Sequence, residues 1–187
     1  MSKRIGIACL LLGILCLLSA VGLMVYNRFE AESAAKATDS LLAEVQDAMK
    51  EQEAASAKGP TIEVGGYECL GVLSIPALEL KLPVLAGWSE AKLKVAPCCY
   101  YGSYDGPNFV IAAHNYAAHF ARLSELQEGD LITFTDAGGK ARGYEVVLLE
   151  TLPKTATEAM ITAGFDLSLY TCTVGGGSRV TVRCRLI

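Results

Sequence analysis

Histidine is scarce in this sequence, which has 187 residues but only two histidines. Cysteine is more frequent, with seven residues, yet no two cysteines form a Cys-x-x-Cys pair. Structural zinc sites are usually built from such cysteine pairs, often together with histidines. The sequence therefore argues against a structural zinc site, and we expect neither a metal nor a cofactor.

Basic residues are too few for a nucleic-acid partner. Lysine and arginine together number 16 against 20 aspartates and glutamates, so the formal net charge is −4. Proteins that bind nucleic acid neutralise phosphates with clustered lysine and arginine. No basic stripe of that kind is visible in the sequence, and we expect no nucleic-acid partner.

One long segment has no charged residue, namely residues 5–26, IGIACLLLGILCLLSAVGLMVY. A helix of that length rises about 33 Å, enough to cross a hydrocarbon core of about 30 Å. Lys3 and Arg4 precede the run, which predicts a cytoplasmic N-terminus and an extracellular C-terminal domain. We therefore predict a single-pass anchor in the cell membrane, with a signal peptide cleaved near Ser19-Ala20 as the alternative.

The segment after the apolar run is rich in alanine, glutamate, lysine and glutamine, which are good helix formers. It carries one narrow apolar stripe, which consists of Leu41, Leu42, Val45 and Met49. We predict a helical stalk, with a partly disordered spacer as the alternative. The predicted organisation is a cytoplasmic start and anchor at 1–26, a stalk at 27–64 and a folded domain at 65–187.

Short apolar runs alternate with turn residues throughout the C-terminal part of the chain, as in NFVIAAH and DLITFTD. Seven or eight such runs, with few helical stretches between them, predict an all-β barrel or sandwich. Short helices are expected at 88–95, 117–126 and 157–163.

The stretch SLYTCTVGGGSRVTVRC, residues 168–184, predicts a hairpin whose turn contains three glycines. Strand alternation turns the leucines and valines toward the core and puts Cys172 and Arg179 together on the opposite, outer face. Cys184 has the apolar parity and is expected to pack in the core. A guanidinium beside a thiol favours the thiolate and can also stabilise an oxyanion. Cys172 and Arg179 are therefore a candidate nucleophile and its electrostatic partner.

A general acid or base has to come from one of the two histidines. His114 ends the apolar run NFVIAAH and so is expected at a strand terminus, where functional side chains often project. His119 falls in YAAHFARL and is expected on the surface of a helix or loop. His114 is therefore the candidate third member of the site.

Several dispersed segments of the domain resemble the sortase family, and the last of them resembles its Leu-x-Thr-Cys…Arg motif. The segments are GVLSIPALELKLPVLAG at 71–87, YGSYDGPNFVIAAHN at 101–115, FARLSELQEGDLITF at 120–134 and LSLYTCTVGGGSRVTVRCRL at 167–186. The resemblance implies an all-β fold, the eight-stranded sortase barrel with short helices. It also implies that His114, Cys172 and Arg179 take the catalytic positions.

The resemblance implies a membrane-anchored cysteine transpeptidase of Gram-positive cell surfaces. Cys172 would attack a carbonyl in the sorting motif of a secreted surface protein and form a thioester. His114 would protonate the leaving amine, and Arg179 would stabilise the oxyanion. An amine of a peptidoglycan precursor or a pilin lysine would then resolve the thioester.

Three features depart from the better-known sortases. Only six residues separate Cys172 from Arg179, and Ala113 stands where a glycine usually precedes the histidine. The segment at 154–166, which helps to form the sorting-signal groove in the family, is short. Two other functions stay open: a cysteine peptidase or hydrolase of another fold, and a non-catalytic, membrane-tethered binding barrel.

Overall fold

The computed structural model describes residues 2–54 and 59–187 and, within these, the side chains of residues 5–53 and 59–187. The helices are α1 (Ser2–Ala54), α2 (Glu90–Leu93) and α3 (Thr157–Ile161). The strands in this part of the chain are β1 (Ile62–Val64), β2 (Tyr67–Ile75), β3 (Leu80–Leu85), β4 (Cys98–Tyr101), β5 (Phe109–Ala112), β6 (Leu131–Asp136), β7 (Ala141–Pro153), β8 (Leu167–Cys172) and β9 (Ser178–Leu186). Two 3-10 turns lie at Pro76–Leu78 and Leu123–Glu125.

The strands form a single sheet in the order β1-β2-β3-β4-β5-β8-β9-β7-β6. Strand β2 also pairs with β6, from Gly71 opposite Asp136 to Ser74 opposite Thr133, and this pairing closes β2–β9 into an eight-stranded barrel. Two neighbouring pairs, β3–β4 and β5–β8, are parallel, whereas the others are antiparallel. The predicted eight-stranded barrel with short helices is confirmed, and β1 extends the sheet beyond it.

The parallel pairing of β5 with β8 determines how close the candidate residues His114 and Cys172 lie. Its register runs from Phe109 opposite Leu167 to Ala112 opposite Tyr170. In a parallel pair the carboxyl ends lie side by side. The residues that follow the two strands therefore emerge at the same rim of the barrel.

The core has two layers, and β5 is buried on both of its faces. Phe109 and Ile111 point into the barrel, where Phe109 packs edge to face on Phe134 with ring centroids 5.2 Å apart. Val110 and Ala112 belong to a second cluster outside the barrel. That outer cluster also contains Leu41 and Val45 of α1, Met160 of α3, and Tyr170.

The N-terminal part of helix α1 is apolar and exposed, whereas its C-terminal part has a buried face. Its apolar part, in the segment Ile5–Glu53, reaches a mean hydropathy of 2.7, so the helix could cross a membrane by length and composition. From Ala34 onward the helix belongs to the compact unit Ala34–Ile187. The buried residues of that part recur every three or four positions and so form one face; they are Ala34, Thr38, Leu41 and Val45. The domain boundaries at residues 26 and 64 stay predictions.

Two of the three expected short helices are present in part, because α2 lies within 88–95 and α3 within 157–163. The segment 117–126 differs, since it contains hydrogen-bonded turns and a 3-10 turn but no α-helix. The carbonyl of Tyr116 accepts hydrogen bonds from the amides of both His119 and Ala121. Local spacing alone does not distinguish such tight turns from an α-helix.

Candidate active site

Cys172 and Arg179 face each other across the β8–β9 ladder. Cys172 is the last residue of β8, Arg179 is the second residue of β9, and the two are direct partners in the register. Direct partners on antiparallel strands have Cβ atoms about 4.5–5.5 Å apart. Both residues are half-buried, so their side chains lie at the protein surface and not within the barrel core.

The turn between these two residues depends on its glycines. Gly175 and Gly176 have φ angles of +84° and +71°, a conformation that side chains with a Cβ rarely adopt. The amide of Gly176 donates to the carbonyl of Thr173 over 2.8 Å, which tightens the loop. Nη1 of Arg179 donates to the carbonyl of Ser178 over 3.2 Å. The guanidinium of Arg179 is therefore bonded to the backbone of the loop that joins β8 to β9.

His114 follows β5 and is held against β8 through the residue before it. The amide of Ala113 donates to the carbonyl of Tyr170 over 3.2 Å, and the hydroxyl of Thr171 donates to the carbonyl of Ala113 over 2.9 Å. Continuing the β5–β8 register by two residues puts His114 opposite Cys172, and neighbouring strands are about 4.8 Å apart. The three candidate residues thus come from one rim of the barrel.

His119 is buried, with 0% exposure, and the expectation of a surface position was wrong. Its Nε2 lies 2.8 Å from the hydroxyl oxygen of Thr38 on α1, and that hydroxyl donates to the carbonyl of Val95 over 2.6 Å. Because the hydroxyl proton is directed at Val95, Nε2 of His119 carries a proton and donates to Thr38. Burial, with a smaller contribution from His114, lowers the pKa of His119 to about 4, so this ring is neutral at pH 7.

The ring of Tyr116 lies between the rings of His119 and His114 and is tilted against both. The centroids of His114 and Tyr116 are 4.8 Å apart with a tilt of 34°, and those of Tyr116 and His119 are 5.5 Å apart. The amide of Phe120 also donates to the carbonyl of His114 over 3.2 Å. The loop that carries His114 therefore packs, through Tyr116, against His119, which is hydrogen-bonded to Thr38 of α1.

A groove of about 280 Å³ opens next to Arg179. One wall is aromatic, because Trp88 packs on Tyr100 and Tyr100 packs on Tyr170, with centroids 6.1 Å and 5.4 Å apart. The groove is also lined by the end of β7, by α3 and by the segment between them, through Pro153, Lys154, Ala156, Thr157 and Met160. Sequence reasoning missed Trp88 and Tyr100, because no local pattern brings them to the site.

The other cysteines of the barrel differ from Cys172 in their surroundings. Burial raises the pKa of Cys69 to about 11 and those of Cys98 and Cys184 to about 12, so these thiols are neutral at pH 7. Cys184 packs in the barrel core with 0% exposure, as its parity predicted. All seven cysteines lie in the described residues and are free thiols. Within residues 2–54 and 59–187, no group of three or more histidine, cysteine or acidic side chains could hold a metal ion.

Comparison with known proteins gives consistent results. The family model described as the sortase domain matches residues 73–187. Sortase C1 from Streptococcus suis is 29% identical, with a TM-score of 0.57, over 65% of this chain and 74% of that chain. Sortase C2 of Group B Streptococcus Pilus Island 1 is 27% identical, with a TM-score of 0.56, over 63% of this chain and 73% of that chain. A Clostridium perfringens sortase D5 transpeptidase shares the fold at 18% identity, with a TM-score of 0.60, over 81% of this chain and 96% of that chain. No curated protein matches the sequence.

Proposed function

Because this chain belongs to the sortase family, we propose that it is a cysteine transpeptidase that joins exported surface proteins to an amine acceptor. The observation that carries the proposal is the direct pairing of Cys172 with Arg179. The β5–β8 register ends at Ala112 opposite Tyr170, and its continuation by two residues supports a place for His114 at the same rim. A nucleophile, a proton carrier and a fixed cation are the groups that acyl transfer through a thioester requires.

In the first step, the Cys172 thiolate attacks the carbonyl carbon of the scissile peptide bond. Arg179 stabilises the negative charge that develops on the carbonyl oxygen. The carbon–nitrogen bond then breaks, the leaving amine takes a proton from the His114 imidazolium, and a thioester to Cys172 remains. His114 is neutral at the end of this step.

In the second step, an amine attacks the thioester carbonyl and forms a new amide bond. The proton that the amine loses passes to neutral His114, and Cys172 leaves as a thiolate, so the enzyme returns to its starting state. Water in place of the amine gives hydrolysis. We propose a peptidoglycan precursor or a pilin lysine as the acceptor, and the similarity to a sortase of a Group B Streptococcus pilus island supports the pilin.

The groove beside Arg179 supports binding of an extended sorting peptide. Its aromatic wall offers apolar contact to a side chain of the peptide, while Lys154 and Glu90 supply polar groups at its edge. We further propose that residues 5–26 anchor the chain in the membrane, with the N-terminus in the cytoplasm and the barrel outside.

The test is mass spectrometry of the full-length chain in detergent after incubation with a library of sorting peptides. We expect the acyl group of a sorting peptide to be attached to the proteolytic fragment of the enzyme that contains Cys172. Hydroxylamine should release this acyl group as a hydroxamate. The Cys172→Ala variant should form no adduct. Cys99→Ala is the matched control, because Cys99 is a half-buried thiol on β4 and should leave loading unchanged.

Other outcomes point to the alternatives. Cleavage whose products do not change when an amine is added supports a cysteine hydrolase. Peptide binding that Cys172→Ala leaves intact, with no covalent adduct in the wild type, supports a binding barrel. No loading by any peptide contradicts the transpeptidase.

A further inference from the structure

Arg183 is a buried charge that the proposed chemistry does not use. It lies four residues after Arg179 on β9, on the outer face that strand parity predicted, and only 1% of it is exposed. A guanidinium is costly to bury unless its N–H groups find partners. Its partners therefore indicate what the residue does.

Two of the partners belong to the barrel and fix the guanidinium in place. Nε of Arg183 donates to Oε1 of Glu150 on β7 over 2.8 Å, and Nη1 donates to the hydroxyl of Ser168 on β8 over 2.9 Å. Both neighbouring strands thus hold the side chain, and Glu150 balances its charge.

The other partners are main-chain carbonyls of α3. Nη1 of Arg183 donates to the carbonyl of Met160 over 3.0 Å, and Nη2 donates to the carbonyl of Ala159 over 2.8 Å. These carbonyls are in the last turn of a helix, where carbonyl groups have no partner within the helix. A cation at this end also interacts favourably with the helix dipole.

Helix α3 depends on such outside support. It has only five residues, its N-cap residue Ala156 makes no side-chain capping hydrogen bond, and helices this short are unstable in isolation. The same helix supplies Thr157 and Met160 to the wall of the groove. The position of that wall is thus tied to the guanidinium of Arg183.

We propose that Arg183 is a positioning residue that sets the α3 wall of the groove against Arg179 and so determines which peptide side chain the groove accepts. This inference rests on the proposed function, because it takes the groove as the peptide site. The planar guanidinium contacts two carbonyls at once, which the compact ammonium of a lysine does not reproduce.

The test compares Arg183→Lys with Arg185→Lys in the full-length protein. Arg185 is exposed, and its guanidinium contacts the carbonyl of Gly164 and the ring of Phe165, which follow α3 in the chain. For the peptide that loads best, we expect Arg183→Lys to raise KM about tenfold and to leave kcat nearly unchanged, the pattern of lost binding. The rate of Cys172 alkylation by iodoacetamide and its pH profile should not change.

The selectivity among peptides should also shift in Arg183→Lys and stay fixed in Arg185→Lys. Equal KM values in the two variants overturn the inference. So does a fall in kcat together with an altered alkylation profile, because that result places Arg183 in the catalytic rim. If Arg183→Lys fails to fold, the second variant is Ser168→Ala, which removes one hydrogen-bond partner of the guanidinium. We expect this variant to raise KM as well.

Amide hydrogen exchange separates this inference from the proposed function. Exchange across residues 157–162 should accelerate in Arg183→Lys and not in Arg185→Lys, whatever the enzyme acts on. If wild type loads no peptide but exchange accelerates, the proposed function fails while the hold on α3 stands. If wild type loads peptides and exchange does not change, the inference about Arg183 fails alone.

Discussion

Acidification should destabilise this protein through one buried histidine. His119 has an ordinary pKa of 6.5 in the unfolded chain and a pKa of about 4 in the folded one, mainly because burial disfavours the imidazolium. Between these two values the unfolded state binds more protons than the folded state. The free energy of unfolding therefore rises with pH in this window, and the contribution of His119 is lost as the pH falls from 6.5 toward 4.

The size of the effect follows from the two pKa values. Each pH unit is equivalent to about 1.4 kcal/mol per site, so His119 accounts for a loss of about 2 kcal/mol between pH 7 and pH 5. A typical domain has a total stability of about 5–15 kcal/mol. For a unit of this size, 2 kcal/mol corresponds to a fall of about 4–8 °C in Tm.

The assay is urea unfolding of the full-length chain in detergent at several pH values, followed by fluorescence of Trp88, the single tryptophan. The matched variant is His119→Gln, because a glutamine amide can still donate to Thr38 but does not titrate. At each pH, the free energy of unfolding of the variant is subtracted from that of wild type. The contribution of the carboxylates, which both proteins share, cancels in this difference. Equal pH dependence in the two proteins would refute the assignment of His119 as a buried neutral ring.

Three further predictions concern the contacts of His119, the role of Arg179 and the reactivity of the cysteines. Thr38→Val should cost about 1–3 kcal/mol of unfolding free energy, because it leaves the buried Nε2–H of His119 without an acceptor, whereas Thr38→Ser should cost less; urea unfolding measures both. Arg179→Lys should lower kcat about 10²–10³-fold with peptide substrates, since it weakens oxyanion stabilisation, and an unchanged kcat contradicts that role. Iodoacetamide should alkylate Cys172 long before Cys184, because burial raises the pKa of the Cys184 thiol to about 12; peptide mapping at short times distinguishes the two, and equal rates contradict the structure.

Strand alternation predicted the hairpin well, but it could not say what covers its outer face. Cys172 and Arg179 are half-buried partners, and Val182 and Cys184 point inward, as the pattern indicates. Arg183 has the outward parity but is fully buried, because α3 and the ring of Phe165, in the segment before β8, lie over it. Period-two patterning decides the face of a residue, whereas its exposure depends on what other elements pack there.

The burial of His119 could not be predicted from local pattern either, because its partner is distant in the sequence. Its bond to Thr38 joins residues 81 positions apart, and the tight turns around it have the spacing of a short helix. The apolar stripe on α1 predicted a helix, but a stripe does not identify its packing partner. Likewise, Trp88 contacts Tyr100 because β3 pairs with β4 in parallel, and neither residue has a local sequence pattern that predicts this contact.

The N-terminal helix should therefore be needed for a stable barrel. Leu41 and Val45 are buried in the outer core cluster, and burying such a side chain is worth about 1.5–3 kcal/mol. A chain cut to residues 59–187, which keeps β1, should lose at least about 3 kcal/mol of unfolding free energy relative to residues 31–187. It should also lose the acid destabilisation due to His119, because removal of α1 exposes that ring to water and returns its pKa toward 6.5. Urea unfolding of the two chains at pH 7 and pH 5 measures both effects. Equal stability would mean that α1 is only a spacer, and the support it gives the His114 loop would have no energetic weight.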